Sequence, residues 1–358
     1  MVRWGILSTG DNASKFAKDL LIDPSTRGVH DITHTLSAVA SSTSLQKAQD
    51  FLSAIQAPTT TAYGSYDALL QDPAVEIVYI STPHSLHFQN ARAALLAGKH
   101  VLLEKAFTVN AAQARGLVQL AREKHLFLME AMWTRFFPLT QHVRDLIQTG
   151  TIGAVQRVVA DRNLGRNIEE LYGTEHRLVN PALAGGALLD LAIYPLTWIF
   201  YFLYPDRPAL RSRPRVSSSL VKYAPTGVDE TATVVVSFPE TRTQGVATAS
   251  LRVASDPTDP GVRILGDKGQ IQIFGPAARP LGVAVVSYGG DAAVERKDFE
   301  IPVGHGLFWE ADACARCLAR GEIESDVMPL DETVLIMEVM DSVREGNGLK
   351  YPDEIESC

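Results

Sequence analysis

Val101-Leu102-Leu103-Glu104-Lys105 is the stretch on which the reading of this chain turns. Three apolar residues run straight into an acid and a base. Val101 to Leu103 read as the end of a strand buried on both faces, the pattern of a parallel sheet. Glu104 and Lys105 then stand where that strand leaves the sheet. In open α/β sheets, ligands bind in the crevice beyond the carboxyl ends of the strands. Lys105 is therefore placed where a cation can act on a bound molecule.

The alternation of strand and helix extends to both sides. Val2 to Leu7 is a strand, Ser8 to Ala13 a tight turn, and a helix follows to about Ile22. Thr35 to Ala40 is a second strand and Ile77 to Ile80 an unbroken apolar one. Short helices are expected at Tyr66–Leu70 and at 86–97, closed by Gly98. Asn110 caps a helix to about Lys124, and Leu126 to Met129 is a further strand. Six strands fit in about 130 residues, the size of a doubly wound dinucleotide-binding domain. The G-x-G-x-x-G/A fingerprint expected in the first turn is held by Ser8, Gly10 and Ala13, with Thr9 and Asn12 between. Its first glycine is missing. The second strand ends at Ser41-Ser42, with Lys47 beyond and no acid nearby. A carboxylate there would bind the free 2′-hydroxyl of NAD. Its absence favours NADP over NAD.

After Glu130 the pattern changes. A helix is expected from Pro138 to about Thr149, a strand from Ala154 to Asp161, and a helix from Ala187 to about Tyr201 behind Gly185-Gly186. Strands then dominate, at 216–221, 231–238, 245–253, 262–266, 270–274 and 283–288. Several alternate polar and apolar residues, as an antiparallel sheet with one covered face does. Two late helices, 307–320 and 330–344, follow. The expected architecture is an α/β Rossmann domain over 1–132 and an α+β domain with a mostly antiparallel, open-faced sheet over 133–358.

Composition narrows the function. The chain has 358 residues, 46% hydrophobic and 21% charged, ordinary for a soluble globular protein. A net charge of −8 argues against nucleic acid as a partner. No signal-peptide pattern opens the chain, and the most apolar stretch, 196–204, is too short and aromatic for a membrane span. A cytoplasmic protein is expected. Cys314 and Cys317 form a C-x-x-C inside an Ala-rich helical pattern with no second ligand pair, so no metal site is expected.

Several stretches together resemble one family. Leu103-Glu104-Lys105-Ala106-Phe107 resembles the E-K-P motif of the Gfo/Idh/MocA oxidoreductases. Residues 130–138, Glu-Ala-Met-Trp-Thr-Arg-Phe-Phe-Pro, resemble the domain junction of that family's dimeric dihydrodiol dehydrogenase branch. Residues 185–195, Gly-Gly-Ala-Leu-Leu-Asp-Leu-Ala-Ile-Tyr-Pro, resemble its G-G-A-L-L-D-x-G-x-Y-P and are the most specific match. Residues 306–313 and 328–332 also fit, so the resemblance runs the length of the chain. Ala106 stands for the usual proline and Ala192 for a glycine.

The resemblance implies an NAD(P)-dependent enzyme acting on a sugar or a cyclic diol, in a branch that includes NADP-dependent D-xylose 1-dehydrogenases and trans-dihydrodiol dehydrogenases. It also implies pairing of two subunits through the open sheet face. Oxidation of a carbinol needs a base to take the hydroxyl proton. Tyr194, four residues after Asp190 on an expected helix, is the candidate base. Lys105 is expected to favour its phenolate and to steady the reacting oxygen. Asp190 orients substrate hydroxyls or the lysine, the roles of Lys105 and Tyr194 can also be exchanged, and His176, Arg177 and Trp133 join the substrate set. Thr82, Pro83, His84, Glu104, Lys105, Trp133 and Arg135 join Ser8, Thr9, Gly10, Asn12, Ala13, Ser41, Ser42 and Lys47 around the cofactor. The expected reaction is NADP-dependent oxidation of the anomeric carbon of an aldopyranose of the D-xylose type to the lactone, and two other readings stand beside it: a trans-dihydrodiol dehydrogenase or dicarbonyl or anhydrosugar reductase, and a nucleotide-sensing regulator without turnover.

Overall fold

The structure is a computed structural model that describes residues 1–204, 213–289 and 294–358. The chain divides into two compact units. The first comprises 1–136, 301–333 and Cys358; the second comprises 137–300 and 334–357. The first boundary falls close to the expected one at 132/133. The assignment of all of 133–358 to one domain is corrected, because 301–333 returns to the first unit.

The first unit is built on six parallel strands: β1 (Val2–Leu7), β2 (His34–Ala40), β3 (Thr61–Tyr63), β4 (Ile77–Ile80), β5 (His100–Glu104) and β6 (Leu128–Ala131). Their order, β3-β2-β1-β4-β5-β6, is that of a Rossmann sheet, with the reversal of direction between β1 and β4. Every residue of β4 and β6 is buried, as strands covered on both faces must be. The helices start where side chains can cap them. Ser44, Ser65 and Asn110 accept the amides of Lys47, Ala68 and Gln113.

The returning segment is held by buried charge. Helix Phe308–Ala319 brings Asp312 to Arg27 as a bidentate pair and to His34 at 3.0 Å. Trp4 Nε1 donates to Nδ1 of His34 at 3.1 Å, so the other ring nitrogen carries the proton given to Asp312. Asp19 accepts the amides of His305 and Leu307, the latter at 2.8 Å.

Among its described residues the second unit carries eight strands: β7 (Val155–Asn163), β8 (Arg215–Lys222), β9 (Asp229–Phe238), β10 (Thr243–Ser250), β11 (Pro260–Gly266), β12 (Gly269–Phe274), β13 (Gly282–Ser287) and β14 (Val294–Asp298). Their order is β14-β13-β12-β11-β7-β10-β9-β8, and only the β7–β10 pair is parallel. Helix Ile193–Leu203 covers one face, lying on β7 and β10. Gly245 on β10 makes room for it, since a Cβ there would come within 2.4 Å of Ile199. The helical run Pro181–Leu203 has a mean hydropathy of 1.5 and is long enough to cross a membrane by length and composition. That corrects the expectation of a short apolar stretch at 196–204. Of its 18-residue apolar window, 89% is buried within the protein, the position of a core helix. Ile193, Leu196, Trp198, Ile199 and Phe200 all lie in the interior. At about 1.5–3 kcal/mol for each such side chain, an upper bound, they anchor the element that carries Asp190 and Tyr194.

Candidate active site

In the first unit the carboxyl ends of β1, β2, β4 and β5 gather most of the expected residues. Ser8, in place of the first fingerprint glycine, has φ +128, so the turn keeps a conformation that glycine adopts freely. Its Oγ accepts the amide of Gly10 at 3.1 Å. Helix Asp11–Leu20 begins at Gly10 with no side-chain cap. A Cβ on Gly10 would meet only Ser8 Oγ, at 3.5 Å. Uncapped first-turn amides above open space form an anion site of the kind that holds a pyrophosphate. Ala13 is fully buried, which lets the helix pack on the sheet, while Thr9 is half-buried and Asn12 exposed. Ser41 and Ser42 directly follow β2, and Lys47 is exposed on helix Leu45–Ala54. These features fit a dinucleotide.

The loops after β4 and β5 are tied to one another. His87, which was not among the expected residues, is fully buried. Its Nδ1 lies 2.9 Å from the carbonyl of Ala106 and its Nε2 2.9 Å from that of Thr82. Burial pushes the ring down to about 4, so at neutral pH it has one proton to give to the two carbonyls. His84 packs edge-on against it. Glu104 accepts the Tyr79 hydroxyl and the Lys105 amide, the latter at 3.2 Å. The Lys105–Ala106 peptide is cis. Glu130 accepts the amide of Phe107 and the hydroxyl of Thr333, each at 3.1 Å, and burial raises its carboxyl to about 7. Lys105 thus leaves the sheet on a backbone fixed from three sides, with its side chain half-buried.

Arg135 needs a correction. It is 1% exposed, pairs with Glu332 and donates to the carbonyl of Val327 at 3.0 Å. Its guanidinium is committed to the returning segment rather than offered to a cofactor. Trp133 stays half-buried in the short helix Trp133–Phe136. Glu310 is a buried acid that the sequence did not single out. Burial, then the charges of Glu104 and Asp19, hold its carboxyl well above the usual range. Cys314 and Cys317 are buried in the same helix, and burial pushes Cys317 up to about 12.

In the second unit the expected helix from Ala187 is not regular. Leu188–Ala192 is a π turn, and helix Ile193–Leu203 follows it. Hydrogen bonds in a π turn close at the fifth residue, so Asp190 and Tyr194 are not related by the regular four-residue spacing of one helix face. Such turns recur at functional sites. Asp190, 6% exposed, meets Arg177 Nη1 at 2.9 Å, which supplies the partner a buried carboxylate needs. His176 stacks on Tyr172 with ring centres 4.2 Å apart, and its Nδ1 accepts the amide of Leu178. Tyr194 is 8% exposed in the first turn of its helix.

Known proteins match this arrangement over its whole length. Residues 2–132 match the profile of an oxidoreductase family with an NAD-binding Rossmann fold, and residues 140–272 match the GFO/IDH/MocA C-terminal domain. A D-xylose 1-dehydrogenase (NADP(+)) from Hypocrea jecorina is 48% identical, over 99% of this chain and 94% of that protein. A trans-1,2-dihydrobenzene-1,2-diol dehydrogenase from Homo sapiens is 35% identical, over 99% of each. Among solved structures, an NAD binding oxidoreductase from Klebsiella pneumoniae superposes with a TM-score of 0.82 at 20% identity, over 96% of both chains. Two matched domains and relatives aligned end to end agree with the loops just described, and the chain belongs to the GFO/IDH/MocA oxidoreductase family.

Proposed function

We propose that this protein is an NADP-dependent sugar dehydrogenase that oxidises the anomeric carbon of an aldopyranose of the D-xylose type to the lactone. The observation that carries the reading is the 48% identity, along 99% of the chain, to an enzyme of that activity. Oxidation takes a hydride from C1 and a proton from O1. Bound NADP supplies the hydride acceptor. The uncapped amides at Gly10 would hold its pyrophosphate, Ser41, Ser42 and Lys47 the 2′-phosphate, and Thr82, Pro83, His84 and Trp133 the nicotinamide side. Tyr194 takes the O1 proton. Lys105 favours the phenolate and stabilises negative charge developing on the oxygen. Asp190, steadied by Arg177, accepts hydrogen bonds from the sugar. A panel of aldoses and trans-diols, with absorbance at the reduced-nicotinamide band, tests this. Turnover of trans-diols and none of aldoses would replace it with the second reading, which the 35% relatives favour. Turnover of neither would leave a nucleotide sensor.

NADP should be used in preference to NAD. A kcat/KM for NAD equal to that for NADP would sink the assignment of Ser41, Ser42 and Lys47. Ser42→Asp should move the preference towards NAD by roughly tenfold or more, the scale of one hydrogen bond to a charged group.

Pairing of two copies through the uncovered sheet face belongs to the same proposal. That face carries a cavity of about 810 Å³, lined by Asp161, Arg162, Arg263, Phe274 and Arg296 among others. Sedimentation at micromolar concentration should give twice 39.0 kDa, and a clean monomer would count against the pairing.

A further inference from the structure

We propose that Asp229 is a positioning residue: from the start of β9 it caps the helical segment that carries Asp190 and Tyr194 and so fixes the wide turn between them. The inference rests on the roles given above to those two residues. An ordinary cap comes from the residue before the helix. Here that residue is Ala187, whose methyl accepts nothing, and Gly186 before it has no side chain, so the first amides need an acceptor from elsewhere. Asp229 supplies it. Its Oδ2 accepts the amide of Leu188 at 2.5 Å, and the amide of Ala187 also bonds to it. Asp229 is 0% exposed, and its Oδ1 has no hydrogen-bond partner.

The two glycines are shaped around this contact. Gly186 has φ +130, and a Cβ on it would lie 2.1 Å from Asp229 Oδ1. A Cβ on Gly185 would lie 2.7 Å from the carbonyl of Arg177, the residue whose guanidinium reaches Asp190. The Tyr351 hydroxyl donates to the Gly185 carbonyl at 2.8 Å. The turn is thus seated on Asp229, on the 177–179 backbone and on Tyr351, and the π register that follows starts from that seat.

The groups facing Asp229 are the amides of Ala187 and Leu188, Arg344 from helix Leu330–Gly346, and Tyr351; Lys222, opposite on β8, is turned to the carbonyl of Gly348. Burial raises the carboxyl from 3.8 to about 7, with the Leu188 amide and Arg344 opposing. An acid whose folded value is raised loses stability, relative to a neutral isostere, over the pH range where the unfolded chain has ionised it and the folded protein has not. Wild type should therefore lose ground to Asp229→Asn as pH rises from about 4 to about 7, and no further above.

The test compares Asp229→Leu, which removes the acceptor while keeping the branching and heavy-atom count of the side chain, with Asp229→Asn, which keeps an oxygen for Leu188. Asp229→Leu should lower kcat by roughly 10–100-fold with little change in KM for NADP, the scale of a reacting group displaced by about 1 Å. Asp229→Asn should recover most of that loss. Amide exchange over 185–191 should quicken in Asp229→Leu and stay slow in Asp229→Asn. Should Asp229→Leu not fold, Asp229→Ser, whose oxygen is too short to reach, carries the same comparison. Wild-type kcat or unchanged exchange in the acceptor-free variant overturns the proposal, as do equal losses in the leucine and asparagine variants. Quickened exchange together with wild-type turnover in Tyr194→Phe would instead leave the cap standing and remove the catalytic reading of Tyr194.

Discussion

Tyr194→Phe is expected to lower kcat by roughly 10²–10⁴, and Lys105→Met by about as much, the range for a lost acid-base contribution or a lost electrostatic donor. The reasoning starts from the ordinary tyrosine value near 10, too high for a useful base at neutral pH. An ammonium that favours the phenolate corrects this, so either change alone disables the same proton transfer. The double variant should then cost little more than either single one, because residues acting in one step are not additive. Affinity for NADP, read by fluorescence titration, should survive in Tyr194→Phe. Wild-type turnover in that variant would exclude the tyrosine as the base. Fully additive losses would separate the two residues into independent roles.

Gly186→Ala should be among the most damaging single changes to stability, roughly 3–5 kcal/mol. Three costs coincide. The φ of +130 is poorly tolerated by any side chain, at about 1–3 kcal/mol. The new methyl would overlap Asp229 Oδ1, and crowding a packed interior costs about 1–3 kcal/mol. Asp229 cannot move aside without releasing the Leu188 amide, a cap worth about 0.5–2 kcal/mol. Gly98→Ala is the control, since its φ is +77 but a Cβ there meets nothing within 4 Å. It carries the conformational cost alone. Urea titration of both variants gives the comparison, and equal shifts in midpoint would show that the contact with Asp229 does not matter.

Local pattern made much of the fold legible. Ile77–Ile80 was readable as an unbroken apolar run, Ala111–Lys124 as a helix behind Asn110, and the strands around Thr231 by their alternation. What escaped had no local signature. β3 is three residues long. β14, Val-Glu-Arg-Lys-Asp, is an edge strand whose charges protect it from pairing further and also hide it from a hydrophobic scan. The π turn at Leu188–Ala192 has the composition of an ordinary helix, and only its seat on a distant aspartate distinguishes it. The site divides in the same way. Lys105, Asp190 and Tyr194 stood out because each sits in a motif. His87, Asp229 and Glu310 did not, because each is defined by groups far away in the chain: two loop carbonyls, a helix start 41 residues upstream, and the acids Glu104 and Asp19. Arg135 was misplaced for the same reason, since its partner Glu332 is 197 residues on.

The return of 301–333 to the first unit bears on the order in which the molecule is made. Asp19 and Arg27 are buried, and their partners are His305, Leu307 and Asp312. A growing chain that has passed Phe136 therefore still lacks the groups that pair with these two charges in the finished protein. The missing residues emerge only after the ribosome has added 137–300, roughly 10–30 s of synthesis at 5–20 residues per second. Multidomain chains ordinarily complete their leading domain first. In this one the unit begun first waits for 301–333 and the other for 334–357, so neither closes until the chain is nearly finished, and a nick between 137 and 300 parts two pieces of one folding unit from each other.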